Sequence, residues 1–68
     1  MAERLANDIK ARRTAASLTQ AELAELVGVT RKTVNTVENE VFIPSTMLAL
    51  RLAKALGVTV EALFWIEN

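Results

Sequence analysis

The residues best equipped to recognise another molecule sit together in one short stretch: Arg31, Lys32, Asn35 and Thr36. At that spacing on a helix they share the side opposite Val34 and Val37. Their chemistry is complementary to base edges in the major groove of DNA. Arg and Lys donate to the acceptors of guanine, Asn pairs bidentately with adenine, and a threonine methyl meets the methyl of thymine. The bland alternative for such a face is simple solvation. A second basic cluster, Lys10, Arg12 and Arg13, would extend a positive patch if it shared a face with Arg31 and Lys32. Placement matters because eight basic and eight acidic residues cancel, and a neutral chain is not a generic polyanion binder.

Chemistry of the catalytic kind is poorly supplied. The chain has no histidine and no cysteine, which removes the commonest general base and zinc ligand, thiolate metal sites and disulfides. Glu22 and Glu25 form a carboxylate pair three residues apart, but Glu22 already has a structural use as a helix cap. The expectation is no enzyme, no catalytic residue, no cofactor, no metal and no evident small-molecule ligand. Apolar residues make up 51% of the sequence, yet no run nears the roughly 20 residues needed to span a bilayer. Met1 to Lys10 lacks the apolar centre of a secretory signal, so a cytoplasmic location is expected. With 68 residues the chain is expected to form one domain, 1–68, burying only about 60% of its unfolded surface.

The elements that must position these side chains read as five short helices, an all-α fold. The first is expected over about Glu3 to Ala16, with Leu5, Ile9 and Ala16 on one side and Ser17 and Leu18 as its exit. Thr19 and Glu22 form a capping box that starts the second, Gln20 to Val27, with Leu23, Ala24 and Val27 inward. Gly28 closes it through the left-handed conformation. Val29 plugs the turn, Thr30 caps, and the third helix runs from about Arg31 to Asn39. Glu40 to Pro44 reads as loop, since proline disfavours helix at Ile43. Ser45 caps a fourth helix to Leu56, closed by Gly57, and Thr59 caps a fifth in which Leu63 and Phe64 face the core. Two helices joined by a tight glycine turn over about Thr19 to Asn39, the second with an exposed polar face, make a unit that lays that second helix in the major groove.

The string Leu18-Thr19-Gln20-Ala21-Glu22-Leu23-Ala24, with Gly28-Val29-Thr30-Arg31 and Val37-Glu38-Asn39, resembles the XRE family, which includes phage repressor and Cro DNA-binding domains. The likeness continues through Pro44-Ser45 and Leu52-Ala53-Lys54-Ala55-Leu56-Gly57-Val58, covering about Ile9 to Phe64. It implies a compact five-helix bundle of the lambda-repressor type and a sequence-specific transcriptional regulator, expected to be a repressor, bound to double-stranded DNA. It implies base contacts from Arg31, Lys32 and Thr36, to which Asn35 is added by residue type. Backbone contacts are expected from Gln20, Thr30, Thr33, Asn39, Lys10 and Arg12, and a partly buried ion pair from Arg13 and Glu38. The family commonly has glycine where this chain has Ser17 and Glu40. A left-handed non-glycine residue costs roughly 1 kcal/mol, which leaves the build of those two corners open.

Leu63 and Phe64 suffice to close such a core, so Met47, Leu50, Trp65 and Ile66 are expected to be exposed as the interface of a twofold homodimer, the alternative being that they fold back on the core. Two other functional readings fit the residues: a protein-interaction module of antitoxin-like or adaptor type, or the DNA-binding part of a larger ligand-sensing regulator.

Overall fold

Four of the helices start on one local device. Thr19, Thr30, Ser45 and Thr59 stand in extended conformation, and their side-chain oxygens accept the amides of Glu22, Thr33, Leu48 and Ala62 respectively. Each such cap is worth about 1 kcal/mol. The computed structural model describes Glu3 to Asn68; Met1 and Ala2, placed by sequence in the 1–68 domain, lie outside the described residues. In chain order the elements are β1 (Arg4–Asn7), α1 (Ile9–Ala15), α2 (Gln20–Val27), α3 (Arg31–Glu38), α4 (Thr46–Leu56), α5 (Val60–Leu63) and β2 (Phe64–Glu67). The described residues are thus mostly helical, with five helices and a small sheet.

The sheet is where the structure departs from the sequence reading. The first helix begins at Ile9, and Arg4–Asn7 instead pairs antiparallel with Phe64–Glu67, Leu5 opposite Ile66 and Ala6 opposite Trp65. The Asp8 amide donates to the Leu63 carbonyl at 3.0 Å, continuing the join where β1 meets α1. Ala16, expected inward, is exposed as the C-cap of α1, and Leu18 packs against the core in its vicinity. Ile9, Leu23, Val34, Val37, Leu52 and Leu63 are the largest fully buried side chains, one from each helix and a second from α3. Among the described residues no helix is long and apolar enough to cross a membrane.

The two corners left open are both left-handed, with φ of 59° at Ser17 and 62° at Glu40. They keep the glycine conformation without glycine. Ser17 makes no side-chain hydrogen bond among the described residues, so nothing local offsets its strain. Ser17→Gly relieves about 1–2 kcal/mol of left-handed strain and loses roughly 0.5–1 kcal/mol of chain entropy. The expected net is a rise in melting temperature of about 2–5 °C; a lower midpoint by circular dichroism would show that the corner carries less strain than glycine costs in chain entropy.

Candidate nucleic-acid interface

Helix α3 is held from beneath and left open above. Val34 and Val37 are 2% and 1% exposed, which fixes the rotation of the helix about its axis. Arg31, Lys32 and Asn35 then face outward and are exposed, while Thr33 and Thr36 are half-buried. Thr36 donates its hydroxyl back to the Thr33 carbonyl at 3.0 Å, and the chain after α3 returns to the Thr36 carbonyl through the amides of Val41 and Phe42. The angle between α2 and α3 is set by Gly28, whose φ of 78° ends α2, and by the Val29 amide donating to the Ala24 carbonyl at 3.0 Å.

A polar frame locks α3 to α1 and α2. Arg13 and Glu38 are brought together: Nε donates to Oε2 at 2.7 Å and Nη2 lies 3.4 Å from Oε1, while Nη1 donates to the Leu18 carbonyl. Their side chains are only 13% and 4% exposed. Gln20, at the start of α2, donates to Glu38 Oε1 at 3.0 Å and to Asn35 Oδ1 at 3.2 Å. Asn39 donates to the Asn35 backbone carbonyl at 2.9 Å and to Asn35 Oδ1 at 3.0 Å. Gln20, Asn35 and Asn39 therefore form one chain of hydrogen bonds across the outer surface where α2 meets α3.

The basic residues of α1 divide. Lys10 is exposed beside Thr14 in one shallow depression, and Thr14 also borders a second that reaches Arg31, Arg13 and Gln20. That path brings Lys10 toward the α3 side. Arg12 is engaged elsewhere, its Nε 3.2 Å from Asp8 Oδ2. The approach is an ion pair without a directed hydrogen bond, since Nε has no hydrogen-bond partner among the described residues. Thr30 is exposed, and its hydroxyl both caps α3 and meets the Thr33 hydroxyl at 3.0 Å.

Asn7 is a positioning residue of this site that the sequence alone does not reveal. Its Oδ1 accepts the Ile9 amide at 3.1 Å, while its Nδ2 donates to the Val37 carbonyl at 3.0 Å. One side chain therefore starts α1 and ties down the end of α3. An Asn-Asp pair just before the apolar Ile9 is a helix-start signal, which points only to the first of these roles.

The apolar candidates are all exposed: Met47 by 62%, Leu50 by 57%, Trp65 by 40% and Ile66 by 66%. Met47 and Leu50 are neighbours three apart on α4 and Leu50 adjoins the Leu5–Ile66 pair, whereas Trp65 is set apart from them. Successive strand residues point to opposite faces, so Trp65 and Ile66 are separated by the pleat. Trp65 lies on the Arg4 and Glu67 side and donates its Nε1 to Glu67 at 2.8 Å. Leu50 borders a depression with Leu5 and Phe64, whereas Met47 borders another with Phe42. Val41 and Ile43 are exposed as well, so the loop before Pro44 carries a run of exposed apolar residues. Among the described residues no cluster of acidic side chains is placed to hold a metal ion.

Comparison with known proteins places this geometry. A family model described as helix-turn-helix matches residues 9–63. An uncharacterized HTH-type transcriptional regulator of Bacillus subtilis is 40% identical over 62 residues, 91% of this chain and 94% of that one. The crystal structure of the P22 c2 repressor in complex with a synthetic operator superposes with a TM-score of 0.76 at 32% identity, covering 78% of this chain and 80% of the other. The restriction-modification controller protein C.AhdI of Aeromonas hydrophila gives 0.75 at 35% identity, covering 79% and 82%.

Proposed function

The chain belongs to the helix-turn-helix family of transcriptional regulators, and on that premise we propose that it represses transcription by binding duplex DNA with α3 in the major groove. The observation that carries this is the orientation of α3, buried through Val34 and Val37 and exposed through Arg31, Lys32 and Asn35. In this reading Arg31, Lys32, Asn35 and the methyl of Thr36 meet base edges. Thr30 and Thr33 lie on the same surface and meet phosphate or sugar, joined by Lys10 on the flank and by the first-turn main-chain amide of Gln20, whereas the side-chain N–H groups of Gln20 and Asn39 are engaged with Glu38 and Asn35. Arg12, occupied with Asp8, is the weakest of the proposed contacts. The work is regulatory and not enzymatic, and its place is the cytoplasm.

Two copies acting together extend the reading. Leu50 and Ile66 with Leu5, and Met47 with Phe42, offer exposed apolar area suited to a twofold homodimer of lambda-repressor type. Such a dimer presents its two α3 helices to successive major grooves about 34 Å apart. Sedimentation over a dilution series is expected to show dimer at high micromolar concentration, and monomer alone at that concentration would remove this part of the proposal.

The test of DNA binding is a selection from random duplexes followed by anisotropy titrations in rising salt. A dimer that neutralises about six phosphates should lose roughly 1,000-fold in affinity between 50 and 200 mM salt. Failure to enrich any sequence, with no retention even at low salt, would leave the protein-interaction reading in its place.

A further inference from the structure

We propose that Asn35 is presented to DNA as a pure hydrogen-bond donor and reads guanine, not the adenine that a free asparagine would choose. The inference rests on the DNA-binding reading of α3 and deepens it at one residue.

The polarity of the Asn35 amide is forced from two sides. Gln20 reaches Glu38 Oε1 at 3.0 Å, and a carboxylate held by Arg13 only accepts, so the Gln20 atom there is its nitrogen. The Asn35 atom that this nitrogen meets at 3.2 Å is therefore the oxygen, Oδ1. Independently, Asn39 meets the Asn35 backbone carbonyl at 2.9 Å. A carbonyl also only accepts, so the Asn39 atom is again nitrogen, and it lies 3.0 Å from the same Oδ1. Two anchored donors fill the two lone pairs of one oxygen. Asn35 is exposed, and its Nδ2 has no protein partner among the described residues, so its two N–H groups are not used within the protein.

Adenine recognition needs both ends of the amide: Oδ1 to accept from N6 and Nδ2 to donate to N7. Here the accepting end is already occupied. Guanine presents O6 and N7, both acceptors, and asks nothing of Oδ1. Gln20 and Asn39 thus act on specificity through Asn35, as positioning residues whose effect is on base preference.

Parallel selections from random duplexes with the wild type and Asn35→Ala identify the base pair that Asn35 reads, as the one whose preference disappears; circular dichroism checks that the exposed substitution leaves the fold intact. The wild type is expected to require guanine there, with about a tenfold loss when it is replaced by 7-deazaguanine. The double variant Gln20→Ala/Asn39→Ala, which frees Oδ1, is expected to shift that one position toward adenine whatever it does to total affinity. Any other base at that position in the wild type, or no position that responds to Asn35→Ala, would overturn the inference while the DNA-binding reading stood. A wild type that enriches no sequence would overturn both.

Discussion

Glu38→Ala is expected to cost the fold about 3–5 kcal/mol, the range for removing one partner of a buried ion pair and stranding the other charge. The geometry puts this pair in that class and not among surface pairs worth at most about 1 kcal/mol. The Glu38 side chain is 4% exposed, and its two oxygens serve Arg13 twice and Gln20 once. Alanine would leave the Arg13 Nε with no acceptor and release the Gln20 amide. A chain of 68 residues has only about 3–10 kcal/mol of stability in total, so the variant should lie at the edge of unfolding at room temperature. Urea denaturation checks this, and a loss below about 1 kcal/mol would mean that the pair behaves as a solvated one. The paired replacement Arg13→Met/Glu38→Leu separates stability from geometry. Apolar substitutes for a buried pair are often neutral or stabilising by about 1–4 kcal/mol, so this variant is expected to fold yet to bind DNA poorly, because Gln20 has lost its anchor.

What the sequence made legible is what short-range chemistry decides. Thr19 and Glu22 are three residues apart, and both halves of their capping box form. Gly28 and Gly57 end α2 and α4 in the left-handed conformation, and Ser45 and Thr59 start helices where their hydroxyls reach a backbone amide three residues on. The β1–β2 pairing was illegible for the opposite reason. Leu5 and Ile9 are four apart and mimic a helical stripe, while the strand that claims Leu5 enters with Ile66 at the other end of the chain. Nothing local in Arg4–Asn7 announces that partner. The same distance hid the role of Asn7, whose amide acts on Val37. Exposure of Trp65 and Ile66 could be anticipated from a core already closed by Leu63 and Phe64, but the pleat that sends them to different faces depends on their being strand and not helix.

Removing the two cations of the first turn of α3 is expected to abolish specific binding and to stabilise the protein. The amino end of a helix carries partial positive charge, and a cation placed there costs about 0.3–1 kcal/mol. The first turn of α3 holds Arg31 and Lys32 and no acidic residue, and neither makes an ion pair among the described residues, so the folded state gains nothing visible from them. Arg31→Ala/Lys32→Ala should therefore raise stability by about 0.5–1.5 kcal/mol, since alanine is also the better helix former. On DNA the sign reverses. A side chain that meets a guanine edge is worth about 1–3 kcal/mol, so the double variant should lose at least about 30-fold on a selected operator. On random duplex, where only backbone charge counts, the loss should be far smaller. Equal losses on both would make the two residues phosphate contacts, and a fall in melting temperature would show that they serve the fold. A helix that carries cations where its own dipole repels them is arranged for an anion that arrives from outside, and the opposite movement of stability and specific affinity in one variant is the signature of that arrangement.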